Sequence, residues 1–306
     1  MKVTVFNGSP AAAQSATHVM VDAFLRGAAR AGAEVEEIFL AEKNIRQCQG
    51  CFACWFKTPG RCIIQDDMAD LITAYQASDI IVFGTPVYTW NMTALLKNFV
   101  DRLAPLKAPR MTEQQGHFDL ENAQPKTQTF VALANCGFPG ENNFDVLRAA
   151  MACANPTLEI YRNCGKLLTS KQPFARERVE KWLSDVERAG QELAVGGEVS
   201  VEMRAALAAP LMSVEEYVAI SQAMMKNKRH LRENESALIL QALLLHDLLS
   251  CAQGRRIKST LTASPAKKSS SFGSAPKYGK NNPDAASPAQ SSAPISVNTR
   301  ALATTR

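Results

Sequence analysis

Asp79-Ile-Ile-Val-Phe-Gly84-Thr85-Pro86-Val87-Tyr88-Thr89-Trp90-Asn91-Met92 is the stretch on which the fold turns. Its first half is a short apolar run, β-branched and aromatic, closed by Gly84, and reads as a strand buried on both faces. Beyond the loop, Leu95, Leu96, Phe99, Val100 and Leu103 recur at helical spacing within Met92 to Leu103. Strand, loop and helix in that order are one unit of a parallel sheet, and the chain repeats it. Val3 to Phe6, Glu34 to Leu40, Thr127 to Ala134 and Leu158 to Tyr161 read as the other strands. Ser15 to Ala31, Met68 to Ala77 and Asn142 to Cys153 read as helices between them. The expectation is an α/β protein with a doubly wound, parallel five-stranded sheet covered by helices on both faces. Ligands of such sheets sit beyond the carboxyl ends of the strands, so the loops that follow strands are where chemistry is sought.

Composition supports a globular body. The chain has 306 residues, 46% hydrophobic and 21% charged, enough for a core and unlike a wholly disordered or collagen-like sequence. The longest apolar stretch, Ala237 to Leu249, has 13 residues and includes Gln241, His246 and Asp247. A bilayer-spanning helix needs roughly 20, so no membrane partner is expected. The opening MKVTVFNGSP shows no basic region, apolar run and cleavage site in series, which points to the cytoplasm. The formal charge is +5, yet residues 254–306 alone carry +8, leaving −3 for residues 1–253. Nucleic acid is therefore not an expected partner of the body, the basicity being confined to the tail.

Phe174 to Ala194, Ser213 to Lys226 and Glu233 to Cys251 read as helices. From Gly254 the sequence turns to Ser, Ala, Pro, Lys and Asn, with too little apolar surface to offset ordering entropy, and reads as a disordered basic tail. The expected organisation is a first domain over 1–195, a C-terminal helical extension over 196–253 and a tail over 254–306.

The first strand runs into Asn7-Gly8-Ser9-Pro10-Ala-Ala-Ala-Gln-Ser15-Ala16-Thr17, which opens a helix. Hydroxyls at Ser9, Ser15 and Thr17 beside free N–H groups at a helix N-terminus suit a phosphate monoester. The plain alternative is a strand-to-helix turn with a Ser or Thr cap. Neither a Walker A loop nor the Gly-rich fingerprint of dinucleotide folds is present.

With the loop Gly84-Thr85-Pro86-Val87-Tyr88-Thr89-Trp90-Asn91-Met92 and the following Leu96-Lys97-Asn98-Phe99-Val100-Asp101-Arg102, the chain resembles the flavodoxin-like flavin reductases, which include the NADPH-dependent FMN reductases. That resemblance implies a flavodoxin-like sheet of order 2-1-3-4-5 over residues 1 to 165. It implies FMN, with Ser9, Ser15, Ala16 and Thr17 at the phosphate and Pro86, Val87, Tyr88, Thr89 and Trp90 beside the isoalloxazine ring. Asn135, Cys136 and Gly137, after the fourth strand, would approach the ring from the other side. Ala11 stands where the family often has Arg, and Ala16 where Asn is common, so backbone groups would carry more of the phosphate.

Of eight cysteines, Cys48, Cys51, Cys54 and Cys62 lie in one stretch, Cys48-Gln-Gly-Cys51-Phe-Ala-Cys54-Trp-Phe-Lys-Thr-Pro-Gly-Arg-Cys62. The others are scattered and read as core or loop residues. A dense cluster in a reducing compartment points to metal or redox chemistry rather than disulfides, with zinc the lesser metal option. The spacing resembles the iron–sulfur flavoproteins, a branch of the same group, which implies a [4Fe–4S] cluster on these four residues. The competing reading is a thiol-rich cap over the flavin. Asp66 and Asp67, just before a helical run, read as helix-capping acids rather than a magnesium site, and no residue is assigned a catalytic acid–base role.

The resulting expectation is an FMN-dependent oxidoreductase. NAD(P)H would supply electrons, and a quinone, flavin, iron complex or protein would accept them. The alternatives are an iron–sulfur flavoprotein electron carrier fed by a partner, and a non-catalytic redox-sensing interaction protein using the basic tail. A homo-oligomer is expected by analogy with the fold.

Overall fold

The computed structural model describes residues 1–114, 116–223 and 225. Strands β1 (Lys2–Asn7), β2 (Glu34–Phe39), β3 (Ile80–Pro86), β6 (Thr129–Asn135) and β7 (Leu158–Arg162) form one sheet of order β2-β1-β3-β6-β7. Every neighbouring pair is parallel. Helices α1 (Ala16–Arg30), α3 (Met68–Ala77), α4 (Ala94–Asp101) and α5 (Asp145–Ala152) make the crossovers. With an excursion over residues 107–122 set aside, this is the 2-1-3-4-5 flavodoxin-like order.

Period-two alternation divides the strands between two cores. Val3, Val5, Ile80, Val82, Val131, Leu133, Leu158 and Ile160 face α1 and the long helix α6 (Pro173–Gly196). Phe6, Ile81, Phe83, Ala132, Ala134 and Tyr161 face α3, α4 and α5. Phe6 stacks on Phe99 of α4, centroids 4.4 Å apart. Both faces being covered explains why these strands read as continuous apolar runs.

Two elements depart from the sequence expectation. Between α4 and β6 the chain leaves the sheet as an antiparallel hairpin, β4 (Lys107–Gln114) and β5 (His117–Asn122), that pairs only with itself. After α6 comes α7 (Val201–Ala208), capped by Ser200, whose hydroxyl accepts from the Met203 N–H. Met203, Leu207, Leu211, Met212 and Tyr217 join the first core. Arg162 holds this segment: its guanidinium lies 4.4 Å over Trp182 and donates to the Ala209 carbonyl at 3.0 Å and to the Leu207 carbonyl. Residues 214–223 are helical, within the expected Ser213 to Lys226. The expected helix over Glu233 to Cys251 and the basic tail lie outside the described residues.

Candidate functional site

The carboxyl ends of β1, β3 and β6 are neighbours, so three loops distant in sequence come together at one end of the sheet. Gly8 donates to the Gly84 carbonyl at 2.7 Å, and a Cβ there would stand 2.6 Å from that of Leu96, so only glycine lets β1 pass this close to α4. Thr93 joins the first two loops. Its hydroxyl donates to the Gly8 carbonyl at 2.6 Å and accepts from the Leu96 N–H, capping α4, while its own N–H bonds the Thr85 hydroxyl at 3.1 Å.

In the first loop, Ser9 is buried, its N–H held by the Asn7 side chain at 2.8 Å. Ser15 is the N-cap of α1: its hydroxyl accepts from the His18 N–H at 3.0 Å and donates to the Ala12 carbonyl at 2.7 Å. The capping role is thus real, and it leaves that hydroxyl occupied. Ala16 and Thr17, the first two helical residues, present N–H groups of the kind that no helical turn satisfies. The anion-binding capacity of this end therefore lies in backbone amides rather than in Ser15.

The second loop is a tight turn. Tyr88 and Asn91 exchange both backbone hydrogen bonds, at 2.9 and 3.1 Å. The two residues between them, Thr89 and Trp90, have φ of +48° and +63°. Glycine and asparagine favour such a type I′ arrangement; for a β-branched residue it costs about 1–3 kcal/mol. The strain holds Tyr88 and Trp90 out in solvent, 54% and 62% exposed. Val87 donates to the Asn135 carbonyl at 2.7 Å, binding this turn to the third loop.

Asn135 is buried and its side-chain amide donates to the Thr17 hydroxyl at 2.8 Å, tying the third loop to the α1 N-terminus. Cys136 is buried as well, its thiol donating to the Phe138 carbonyl at 3.2 Å and pushed up in pKa by burial. Tyr217 donates to the Gly137 carbonyl at 2.6 Å. All twelve residues expected to hold a flavin thus gather at one end of the sheet. The side chains of Ser15, Thr17, Asn135 and Cys136 are engaged with one another or with backbone.

One pairing at this end was not anticipated. Glu37 of β2 accepts from the Asn7 amide at 2.7 Å and lies 2.8 Å from Nδ1 of His18. Burial lifts the Glu37 carboxyl above its ordinary range, against the bonds from Asn7 and His18.

The four clustered cysteines line a second site, a cavity of about 60 Å³ walled also by Trp55, Ile63, Ile64, Arg102 and Pro105. Residues 48–62 turn at Gly50 and Gly60, both with positive φ, around the short helix α2 (Ala53–Phe56). Trp55 fastens the segment to the end of α4 by donating to the Ala104 carbonyl at 2.8 Å. Burial raises the Cys54 thiol, and the charges of Cys62, Cys51 and Cys48 raise it further. Among the described residues, no three His, Cys, Asp or Glu side chains already converge as a metal site. The donor set suits iron and sulfide, since it offers soft ligands in an apolar pocket; the sulfurs would have to draw together.

The acids before α3 do something other than what was expected of them. Asp67 takes the N-cap position without a capping side-chain bond, and instead accepts from the Asn44 N–H. Asp66 caps only Met68, at 3.2 Å, and is otherwise the partner of Arg102. Both side chains are buried, at 0% and 1% exposure. Burial pushes the Asp66 carboxyl up, but donors on Arg102, Arg46 and Met68 outweigh it and hold it below the ordinary range.

Comparison with known proteins shows what this chain is similar to. Residues 1–118 match the NADPH-dependent FMN reductase family. That segment contains the first two loops and all four clustered cysteines, and the match bears out the resemblance read from them. An iron-sulfur flavoprotein of Archaeoglobus fulgidus is 38% identical over 105 residues, 34% of this chain and 46% of that protein. One from Methanocaldococcus jannaschii is 37% identical over 107 residues, 35% of this chain and 54% of that protein. The chain therefore spans about half the length of the curated relatives it matches. Among solved structures, the NAD(P)H:quinone oxidoreductase from Methanothermobacter marburgensis overlaps with a TM-score of 0.47 at 17% identity, over 63% of this chain and 96% of that one. No helix among the described residues is long and apolar enough to cross a membrane.

Proposed function

We propose that this protein is an FMN-dependent oxidoreductase that takes electrons from NAD(P)H and passes them to a quinone, a second flavin, an iron complex or a protein. The observation that carries the reading is the strained Tyr88–Asn91 turn, which spends backbone energy to hold two aromatic side chains beside a helix N-terminus with free amides. When bound, FMN supplies an acceptor for hydride and a donor of single electrons. The chain's own contribution is placement. The Ala16 and Thr17 N–H groups would receive the phosphate at the positive end of α1, without a basic side chain. Tyr88 and Trp90 would flank the ring, and the backbone of Pro86 to Val87 and of Asn135 to Gly137 would border its edge. The bond between Asn135 and Thr17 keeps the phosphate end and the ring end in fixed register.

Cys48, Cys51, Cys54 and Cys62 belong to the same reading as ligands of a [4Fe–4S] cluster, supported by their shared cavity and by the names of the relatives. A homo-oligomer working in the cytoplasm completes it. An absorption spectrum of anaerobically purified protein, with iron and sulfide assays before and after NADPH, tests the whole. Flavin bands with an iron-linked shoulder, bleached by NADPH, are expected. A colourless protein that takes up no FMN would overturn the reading. Cys51→Ala should abolish iron binding and leave FMN; iron retained would remove the ligand assignment.

A further inference from the structure

The wall of the cysteine cavity contains a buried charge that ligation by the four thiols does not account for. Arg102 caps the C-terminus of α4, and its side chain is among the largest that are fully buried. One end of the guanidinium is held: Nη1 donates to Asp66 Oδ2 at 2.7 Å and to the Arg46 carbonyl at 2.6 Å, and Nη2 to Asp66 Oδ1 at 3.0 Å. The other is not, because Nε is buried with no partner. A buried N–H left without a partner is destabilising, and a protein retains one where something else offsets the loss. Arg102 lines the cavity together with the four cysteines, and Asp66 does not. The pair therefore presents its positive end to the thiols, with the carboxylate behind it. Asp66 is itself fixed by the Arg46 and Met68 N–H groups, so the fork cannot swing away.

We propose that Arg102 is the positioning residue of this cavity: it offers its free Nε–H to a sulfur of the cluster that the four cysteines would hold and raises the reduction potential of that cluster, with Asp66 locking its orientation. The inference rests on the cluster reading and deepens it. A cluster held by four thiolates becomes more negative on reduction, and hydrogen bonds to its sulfurs favour the reduced state. Groups that hold ligating side chains in this way typically change metal retention by about 10- to 100-fold when replaced.

The test uses the full chain reconstituted anaerobically with iron and sulfide, as wild type, Arg102→Lys, and the double variant Asp66→Asn with Arg102→Gln, which removes both buried charges together. Iron and FMN content are read first, then the midpoint potential by spin-monitored titration, and then the rate at which a chelator extracts iron. The wild type should bind iron. The double variant should keep its FMN, shift the reduction equilibrium about tenfold toward the oxidised state, or 59 mV for one electron, and lose iron at least about tenfold faster. Arg102→Lys, which keeps the charge without the planar Nε–H, should fall between. If the double variant does not fold, the potential of Arg102→Lys decides alone, and a wild-type value there overturns the proposal. Unchanged potential and extraction in a folded double variant would make Arg102 purely structural. A wild type that binds no iron overturns the cluster reading and this inference with it, and the iron assay separates that failure from the first.

Discussion

Gly27→Ala should destabilise the protein although alanine is the better helix former. Gly27 lies where α1 meets α6: a Cβ added to it would stand 1.7 Å from the Glu187 carbonyl oxygen and 2.9 Å from the Gln191 nitrogen. The approach is reciprocal, since a Cβ on Gly190 would stand 2.1 Å from the Phe24 carbonyl oxygen. Restoring an ordinary contact of about 3.5 Å would part the helices by roughly 2 Å, and gaps of even ~1 Å forfeit up to half of a contact's attraction. The displaced interface includes Phe24, Val186, Ala189 and Leu193, all fully buried. Overpacking costs about 1–3 kcal/mol and sometimes more, against which the helix gains about 1 kcal/mol from losing glycine. The 1.7 Å approach places this clash at the upper end of that range, so a net loss of about 2 kcal/mol is expected, lowering the melting temperature by roughly 4–8 °C. Gly196→Ala, at the end of α6 with nothing within 4 Å of the new Cβ, is the control and should be neutral or stabilising. Thermal unfolding followed by circular dichroism reads both. A Gly27→Ala protein that melts with or above the wild type would show that the two backbones are not in contact there.

Thr17→Val removes the acceptor of the buried Asn135 amide; it should cost about 1–3 kcal/mol in urea unfolding and weaken FMN binding in a fluorescence titration. Trp90→Ala should leave the melting temperature unchanged while lowering FMN affinity, because the side chain is exposed. Thr89→Gly should move the two readouts oppositely, relieving a left-handed strain worth about 1 kcal/mol while loosening the turn and its affinity for flavin. Stability should depend on pH with two signs. Asp66, held below its ordinary range, contributes fully above that range, and the contribution disappears as pH falls through its folded value. Glu37, raised by burial, favours the folded state on the acid side and loses that contribution as pH rises from the ordinary range through its folded value. Urea unfolding across pH should therefore lose part of its acid-side slope in Asp66→Asn, with an overall cost of about 3–5 kcal/mol for the orphaned arginine, and lose the opposing contribution in Glu37→Gln.

The sheet was legible because its inner strands β1, β3 and β6 are largely apolar on both faces and each helix between them keeps its period; Met68–Ala77 is found at the bounds its spacing predicts. The β4–β5 hairpin was not, since a self-paired ribbon with one side to solvent writes little pattern: Met111 and Phe118 are both exposed, and Pro109 interrupts the first strand. The site was legible as far as local chemistry extends. Ser15 signals a cap by its place before a helical run. Thr89 and Trp90 give no sign of a left-handed turn, because they are residues that such a turn disfavours. Glu37 with His18, and Asp66 with Arg102, are 19 and 36 residues apart and meet only through the sheet's winding. Charge pairs made by topology leave no local mark in sequence.

The helix α4 has Thr93 at one cap and Arg102 at the other. The nine residue steps from Thr93 to Arg102 advance about 13.5 Å and turn the chain through about two and a half revolutions, so the two caps look out on opposite sides. One belongs to the strand-end loops and the other to the thiol cavity. The helix thus works as a phase gauge between them. Deleting one residue would shorten it by only about 1.5 Å but swing Arg102 through roughly 100°, out of the cavity wall. A change of length in the hairpin at 107–122, which pairs only with itself, leaves that phase untouched.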